Sequence, residues 1–264
     1  MKFVYPQGKA KALTFSYDDA QHFDRELVAI FNKYGMKATF HLNSGTLDGG
    51  IFIQKNEVAE LYKGHEVATH GVDHKRPTSL NKHQLILEFG EDRKELEKLT
   101  GYMVQGLSYA FGAYSEDVME AAKSVGLKYA RTVNSTGEFY PPGDFMTWHP
   151  TCHHSANLKD LGNGFLNVPD YVELPLMYVW GHSFEFGYAN DFSGIEESCN
   201  MMQGKDDIWY ATNLEICDYL AATRSLEWSA DGKIMKNPTA MSVWFIDNKG
   251  QLCELKPGES KSLA

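Results

Sequence analysis

Long hydrophobic runs are missing from this chain. The longest uncharged apolar stretch near a strand-like segment, Leu174 to Trp180, falls far short of the ~20 residues a membrane span needs. The opening residues Met1-Lys2-Phe3-Val4-Tyr5-Pro6 run into Pro6 and then polar positions, with no apolar signal core and no small-residue cleavage pattern. A soluble, cytoplasmic protein is the expectation. Basic charge is also scarce: 25 Lys and Arg stand against 35 Asp and Glu, for a formal charge of −10. That balance argues against nucleic acid or an anionic membrane as the main partner and leaves a neutral sugar open. The four cysteines, Cys152, Cys199, Cys217 and Cys253, form no C-x-x-C pair, so a zinc knuckle and a dithiol redox motif are excluded and ordinary reduced thiols are expected. There is no internal repeat and no low-complexity stretch.

What is present is globular. Hydrophobic residues make up 43% and charged residues 23% of 264, which excludes a disordered chain and fits one to two domains or a single barrel. Strand-like and helix-like segments alternate. Lys11 to Asp19 reads as a buried strand, and Asp24 to Tyr34 as a helix with Leu27, Ile30, Phe31 and Tyr34 on one stripe. Lys37 to Asn43 and Glu66 to His70 read as strands. Thr78 or Ser79 is expected to cap a helix reaching Leu99. Met103 to Phe111, Lys128 to Val133, Tyr171 to Trp180 and Ile208 to Thr212 read as further strands, separated by helices over 115–126, 193–203 and 213–225.

Strands separated by helices imply right-handed crossovers and a parallel sheet. The expected fold class is α/β, with about seven parallel strands, enough to close or nearly close a barrel. The end differs: Lys233 to Lys236, Ala240 to Ile246 and Gln251 to Leu255 look antiparallel, with Asp247-Asn248-Lys249-Gly250 as a hairpin turn. The expected division is a barrel over 1–226 and a small antiparallel β appendage over 227–264 packed on it, too short to bury a core alone.

Active sites of parallel α/β sheets sit at the carboxyl ends of the strands. Three polar clusters fall at such ends: Asp18-Asp19, His70-x-x-x-His74 and His182. Adjacent carboxylates after an apolar strand are costly unless a cation or hydrogen bonds compensate them, although an ordinary turn could also explain them. Imidazoles at i and i+4 can share one cation, and surface histidines are the plainer reading. Together the clusters supply two imidazoles and a carboxylate, a set that leaves coordination positions open for water, as catalytic zinc sites do. The same donors also suit ferrous iron in oxygenases, but those sites usually sit in antiparallel jelly rolls.

The order Thr14-Phe15-Ser16-Tyr17-Asp18-Asp19, His70-Gly71-Val72-Asp73-His74 and then His182 resembles the polysaccharide deacetylase family, carbohydrate esterase family four. The resemblance covers roughly residues 10 to 220. It implies a distorted, incomplete (β/α) barrel and a metal-dependent deacetylase, a hydrolase of linear carbon–nitrogen bonds other than peptide bonds. The implied substrate is a small or oligomeric N- or O-acetylated sugar, and the cofactor one divalent ion, zinc first among the candidates. It also implies Asp19, His70 and His74 as metal ligands, Asp18 as general base and His182 as general acid. An oxyanion-binding N–H is implied in Tyr109-Ala110-Phe111-Gly112. Since neighbouring strand residues face opposite sides, Asp18 and Asp19 can serve one site only if the strand bends or ends between them.

The chain departs from the family at Ser108, where an arginine usually pairs with the base aspartate. Arg131, on the next strand, is the candidate substitute, with a plain surface charge as the alternative. In Asp144-Phe145-Met146-Thr147-Trp148-His149-Pro150-Thr151-Cys152-His153-His154, Asp144 could orient His182 and Trp148 could stack on a sugar. His149 and its neighbours are expected to contact substrate rather than form a second metal site. Gln21 and His22 could face the same pocket. Asn134-Ser135-Thr136 matches a glycosylation acceptor, with no signal peptide to support its use. Two alternatives stay open: a hydrolase of non-sugar amides of the ureide or imide type, and a non-catalytic sugar-binding relative.

Overall fold

The computed structural model describes residues 1–263. In chain order the strands are β1 Lys2–Val4, β2 Lys11–Asp18, β3 Ala38–Leu42, β4 Glu66–Thr69, β5 Gly106–Ser108, β6 Tyr129–Arg131, β7 Cys152–His153, β8 Leu176–His182, β9 Ile208–Tyr210, β10 Glu227–Trp228, β11 Ile234–Lys236, β12 Val243–Ile246, β13 Leu252–Leu255 and β14 Ser260–Ser262. The helices are α1 Asp24–Lys33, α2 Val58–Leu61, α3 Lys82–Thr100, α4 Glu116–Ser124, α5 Leu158–Leu166, α6 Ser183–Ala189, α7 Ser193–Met202 and α8 Asn213–Arg224.

One parallel sheet organises the molecule in the order β6-β5-β4-β3-β2-β8-β7, and β9 pairs with the start of β2 on the edge that β3 takes further along. Every residue of β2 and β3 is buried, as expected where a parallel strand is covered on both faces. The sheet curls. Arg131, at the end of β6, touches Asp18 at the end of β2, four strands away. In a flat sheet those strands would stand about 19 Å apart at ~4.8 Å per step, so only closure toward a barrel allows the contact. The seam between β6 and β8 is spanned by the segment between them: Trp148 bridges to Arg131, and Cys152–His153 pairs with Val179–Trp180. The result is the incomplete (β/α) barrel expected from the sequence.

The helix caps follow the local chemistry. Ser115 accepts from the Val118 amide ahead of α4, and Thr212 with Glu215 forms a capping box on α8. Asn81, not Thr78 or Ser79, caps α3, because Pro77–Ser79 is a separate 3-10 turn. Two strands are shorter than their apolar runs. Met103 to Phe111 yields only β5, since Phe111 takes φ +59; Tyr171 to Trp180 yields a strand only from Leu176, after Leu174 at φ +48 and Pro175.

After α8 the chain builds two small antiparallel sheets, β10-β11-β14 and β1-β12-β13. The second takes in the first strand of the chain, with Phe3 opposite Phe245 and the Tyr219 hydroxyl of α8 bonding Val4 O while accepting from Trp244 N. All four cysteines are free and buried. No described helix is long and apolar enough to cross a membrane.

Candidate active site

The carboxyl ends of β2, β4, β5, β6 and β8 meet at one place. β2 ends at Asp18, and the next two residues turn into the left-handed region, Asp19 at φ +78 and Ala20 at φ +53. That break puts both carboxylates of the pair beside one cluster. His70 lies one residue beyond β4, and His74 follows through a turn that includes Gly71 at φ +85.

Asp19 Oδ1 lies 3.6 Å from His70 Nε2 and 3.6 Å from His74 Nε2. Those separations are too long for hydrogen bonds. They fit two donors on one ion: ligands about 2.1 Å from a tetrahedral centre sit about 3.4 Å apart. Asp19 Oδ1 is also a buried oxygen with no hydrogen-bond partner among the described residues. His70 is oriented from behind. Its Nδ1 lies 2.8 Å from the Ser108 carbonyl, which can only accept, so Nδ1 carries the proton and Nε2 offers its lone pair toward Asp19. Burial, then the charge of His70, lowers the His74 pKa and favours the neutral imidazole a ligand requires. These three residues therefore fit a divalent cation.

Asp92, which the sequence reading missed, holds this turn. Its carboxylate accepts from the amides of Ser44 at 2.7 Å, His70 at 3.2 Å and Gly71 at 3.1 Å, and from the Thr69 hydroxyl. Burial pushes its pKa up to about 6.

Asp18 is fully enclosed, and Arg131 is its cationic partner. The Arg131 guanidinium donates to Asp18 Oδ2 and to Ser16 Oγ, and lies 4.4 Å above the Trp180 ring. Ser108 Oγ donates to Asp18 Oδ1 at 3.1 Å. Burial alone would raise the Asp18 pKa; Arg131 first, then His70, His41 and His182, override it and hold the group well below the carboxylate range. Arg131 is thus no surface charge, and it reaches the carboxylate from a strand beyond Ser108.

His182 is in register with Asp18 on the adjacent strand. Its Nδ1 donates to Glu185 Oε1 at 2.7 Å, leaving Nε2 free. Burial pulls the His182 pKa down, but the Glu185 bond and then the charges of Asp18 and Asp19 carry it above 6.5. Asp144 does not orient His182. It is exposed and its Oδ1 accepts from Met146 N, capping the turn Phe145–Thr147, because a short carboxylate satisfies its own local amide first. Glu185 also faces His154 Nε2 at 2.8 Å and His153 Nε2 at 3.3 Å. Three imidazoles hold its pKa well down against burial. The 2.8 and 2.7 Å contacts are closed hydrogen bonds, unlike the open 3.6 Å triangle at Asp19.

In the loop after β5, the amides of Tyr109, Gly112 and Ala113 are bonded to Arg131 O, Tyr109 O and Ala110 O. The Phe111 amide has no such partner among the described residues. Phe111 itself, at φ +59 and 57% exposed, stands edge-on to His74 at 4.5 Å. Asp19, His74 and Phe111 all border the cluster in conformations that cost a non-glycine residue ~1–3 kcal/mol each.

The aromatic expectation for Trp148 fails. Trp148 is 1% exposed, packed by Tyr129, Phe145 and Tyr178, and so has no face for a sugar. The Tyr109 side chain is buried against Tyr114, with its hydroxyl on Met146 O. His149 is half-buried with Nδ1 2.6 Å from Thr132 Oγ1. Gln21 is buried and accepts from the Tyr188 hydroxyl, while His22 Nδ1 bonds Ile51 O beside the Phe23 ring.

Residues 5–130 match the family model described as polysaccharide deacetylase. A putative polysaccharide deacetylase of Bacillus subtilis (strain 168), YxkH, is 23% identical over 128 residues, which is 48% of this chain and 46% of that protein. The aligned part thus spans about half the length of this curated relative. A solved putative polysaccharide deacetylase from Mycobacterium smegmatis superposes with a TM-score of 0.65 at 15% identity, covering 85% of this chain and 95% of the other. A CE4 family pseudoenzyme from Bacillus anthracis superposes at 0.52 with 14% identity, covering 83% and 68%. Fold alone therefore assigns no activity here, and the side chains must carry that argument. The matched model, which covers residues 5–130, and the shared fold together make this chain similar to the polysaccharide deacetylases.

Proposed function

We propose that the chain is a metal-dependent hydrolase that removes acetyl groups from an N- or O-acetylated carbohydrate. The observation that carries this reading is the triangle of Asp19, His70 and His74, with the buried Asp18 carboxylate beside it, 3.8 Å from His70 Nε2. Asp19, His70 and His74 would hold a divalent ion, zinc first among the candidates, and its charge would polarise an acyl carbonyl and acidify a nearby water. Asp18 is held ionised by Arg131, so an oxygen is ready to accept a proton from the attacking water. A carboxylate this acidic is a weak base by itself, which is why its partner water needs acidifying. The unpaired Phe111 N–H is the donor we assign to the developing oxyanion. His182, whose pKa the Glu185 bond raises, is the donor from Nε2 to the departing nitrogen or oxygen.

The test is acetate release from an N-acetylglucosamine tetramer by the purified chain, with added zinc, cobalt or chelator. Metal-restored acetate release is expected. Absence of a bound cation together with no turnover in any divalent ion refutes the hydrolase. Turnover of a ureide or imide without acetate release would move the substrate class to non-sugar amides. Ser108 in place of the usual arginine favours a sugar-binding relative without activity, but the Arg131–Asp18 pair restores the missing charge and weighs against it.

A further inference from the structure

One side of the site carries a continuous band of aromatic rings that the reaction itself does not use. It begins at His182. Phe184 lies against it, ring centres 4.9 Å apart and 29° from parallel. Tyr188 follows one helical turn later on α6, 5.8 Å from Phe184. Phe23 meets Tyr188 edge-on at 5.4 Å, and His22 lies 4.0 Å from Phe23. The band runs from the end of β8 to the loop after β2. It is anchored there by the Tyr188 hydroxyl, which donates to Gln21 Oε1 at 3.1 Å.

The arrangement is built, not incidental. A Cβ on Gly187 would fall 2.1 Å from Phe23 Cδ1, so only glycine at 187 lets the Phe23 ring reach α6. Ser183, at the start of α6, donates to the buried Asp24 carboxylate at 2.5 Å, tying α6 to α1. Tyr188 is nevertheless 66% exposed, and Phe184 stays partly open. An aromatic side chain held in place by others, with a face left to solvent, suits a ligand with one flat apolar face and a polar rim. A pyranose ring has that form: its axial C–H bonds lie on a face and its hydroxyls point around the edge. The overall charge of −10 favours a neutral ring over an acidic one.

We propose that the band of Phe184 and Tyr188 is the binding surface for the sugar ring on the leaving-group side of the acetyl bond. The inference rests on the hydrolase reading for direction only: His182 protonates the leaving atom, so the ring bearing that atom must lie on the side of His182. Tyr188 stacks on the ring and is a specificity-determining residue, and Phe184 extends the same surface to the reacting bond. An acetyl group on a carrier without such a ring gains nothing from it.

The experiment compares the whole chain with Tyr188→Ala, Tyr188→Phe and Phe184→Leu. Binding of the N-acetylglucosamine tetramer is measured by calorimetry on chelator-treated protein, and kcat and KM for acetate release on zinc-supplemented protein. Tyr188→Ala is expected to weaken binding about tenfold and raise KM by a like factor, a stacking contribution of the usual size. Tyr188→Phe keeps the ring and is expected to bind within about threefold of wild type. Phe184→Leu is expected to fall between. Equal affinity in Tyr188→Ala and wild type overturns the proposal, as does an equal loss in Tyr188→Phe, which would assign the effect to the Gln21 bond. No binding by the wild-type chain also overturns it. Sugar binding without acetate release leaves the band standing and refutes the hydrolase; acetate release with unchanged sugar affinity in the variants does the reverse.

Discussion

Replacing Arg131 with methionine isolates the charge that holds Asp18. Both side chains are nearly sealed from solvent, at 1% and 3% exposure, so removing one partner leaves a buried ion without compensation. Such losses run about 3–5 kcal/mol. The sign of the pH dependence follows from the pKa shift. In the wild type Asp18 titrates well below its ordinary 3.8, so its contribution is fully present above about pH 4 and is lost only as pH falls through the depressed value. In Arg131→Met, burial, already the largest influence, loses its main counterweight and the pKa rises, so the variant weakens as pH climbs above the unfolded value. The lost contact with Trp180 adds a pH-independent cost of about 1–2 kcal/mol. The gap in unfolding free energy should therefore widen from pH 4 to pH 8 and reach about 4–7 kcal/mol near pH 8, the two costs together. For a chain of this size the value at pH 8 means a fall in Tm of roughly 8–28 °C. Urea unfolding at both pH values, in chelator to keep cations out, measures it. Asp18→Asn added to Arg131→Met should recover the pH-dependent part. An equal loss at pH 4 and pH 8 would refute the reasoning and leave Arg131 as a packing residue.

Three further outcomes follow from the geometry. Asp19→Asn should lose most of the bound divalent ion, read as metal per chain after dialysis, while thermal stability in chelator changes little because Asp19 Oδ1 has no protein partner to lose. Glu185→Gln removes the negative charge of the acceptor that raises the His182 pKa, so the alkaline fall in kcat should begin at lower pH and kcat near neutrality should drop roughly tenfold or more. Trp148→Ala should cost about 3–5 kcal/mol of stability, measured by denaturant unfolding, while KM for an acetylated sugar stays within about twofold among the folded molecules.

The residues at the strand ends could be read directly, because a carboxylate pair or an i, i+4 histidine pair after an apolar strand is costly unless it has a purpose. The break after Asp18 followed from strand alternation alone, and it is present as a left-handed turn. The aromatic residues were less legible. Trp148 carries no mark in the sequence that tells a core face from a groove face, and the curl of the sheet decides it. Asp144 was misplaced because its turn-capping use competes with any longer reach. Glu185 escaped notice because Ser183–Ala189 has no cap and few strong helix formers, so its i+3 spacing from His182 meant nothing until α6 was in view. Met103 to Phe111 looked like a strand because apolar content does not reveal a positive φ at its end.

The pairing of β1 with β12 joins segments some 240 positions apart. On a ribosome, residues 2–4 emerge well before their partner strand, some 240 positions later, has been made. The barrel strands find their neighbours earlier, so the small terminal sheet is the last piece to assemble. Until then Phe3 and Val4 remain uncovered, and Tyr219 waits with both of its future partners absent. Cutting the chain between Leu226 and Val243 would therefore be felt at β1, which loses the strand it pairs with.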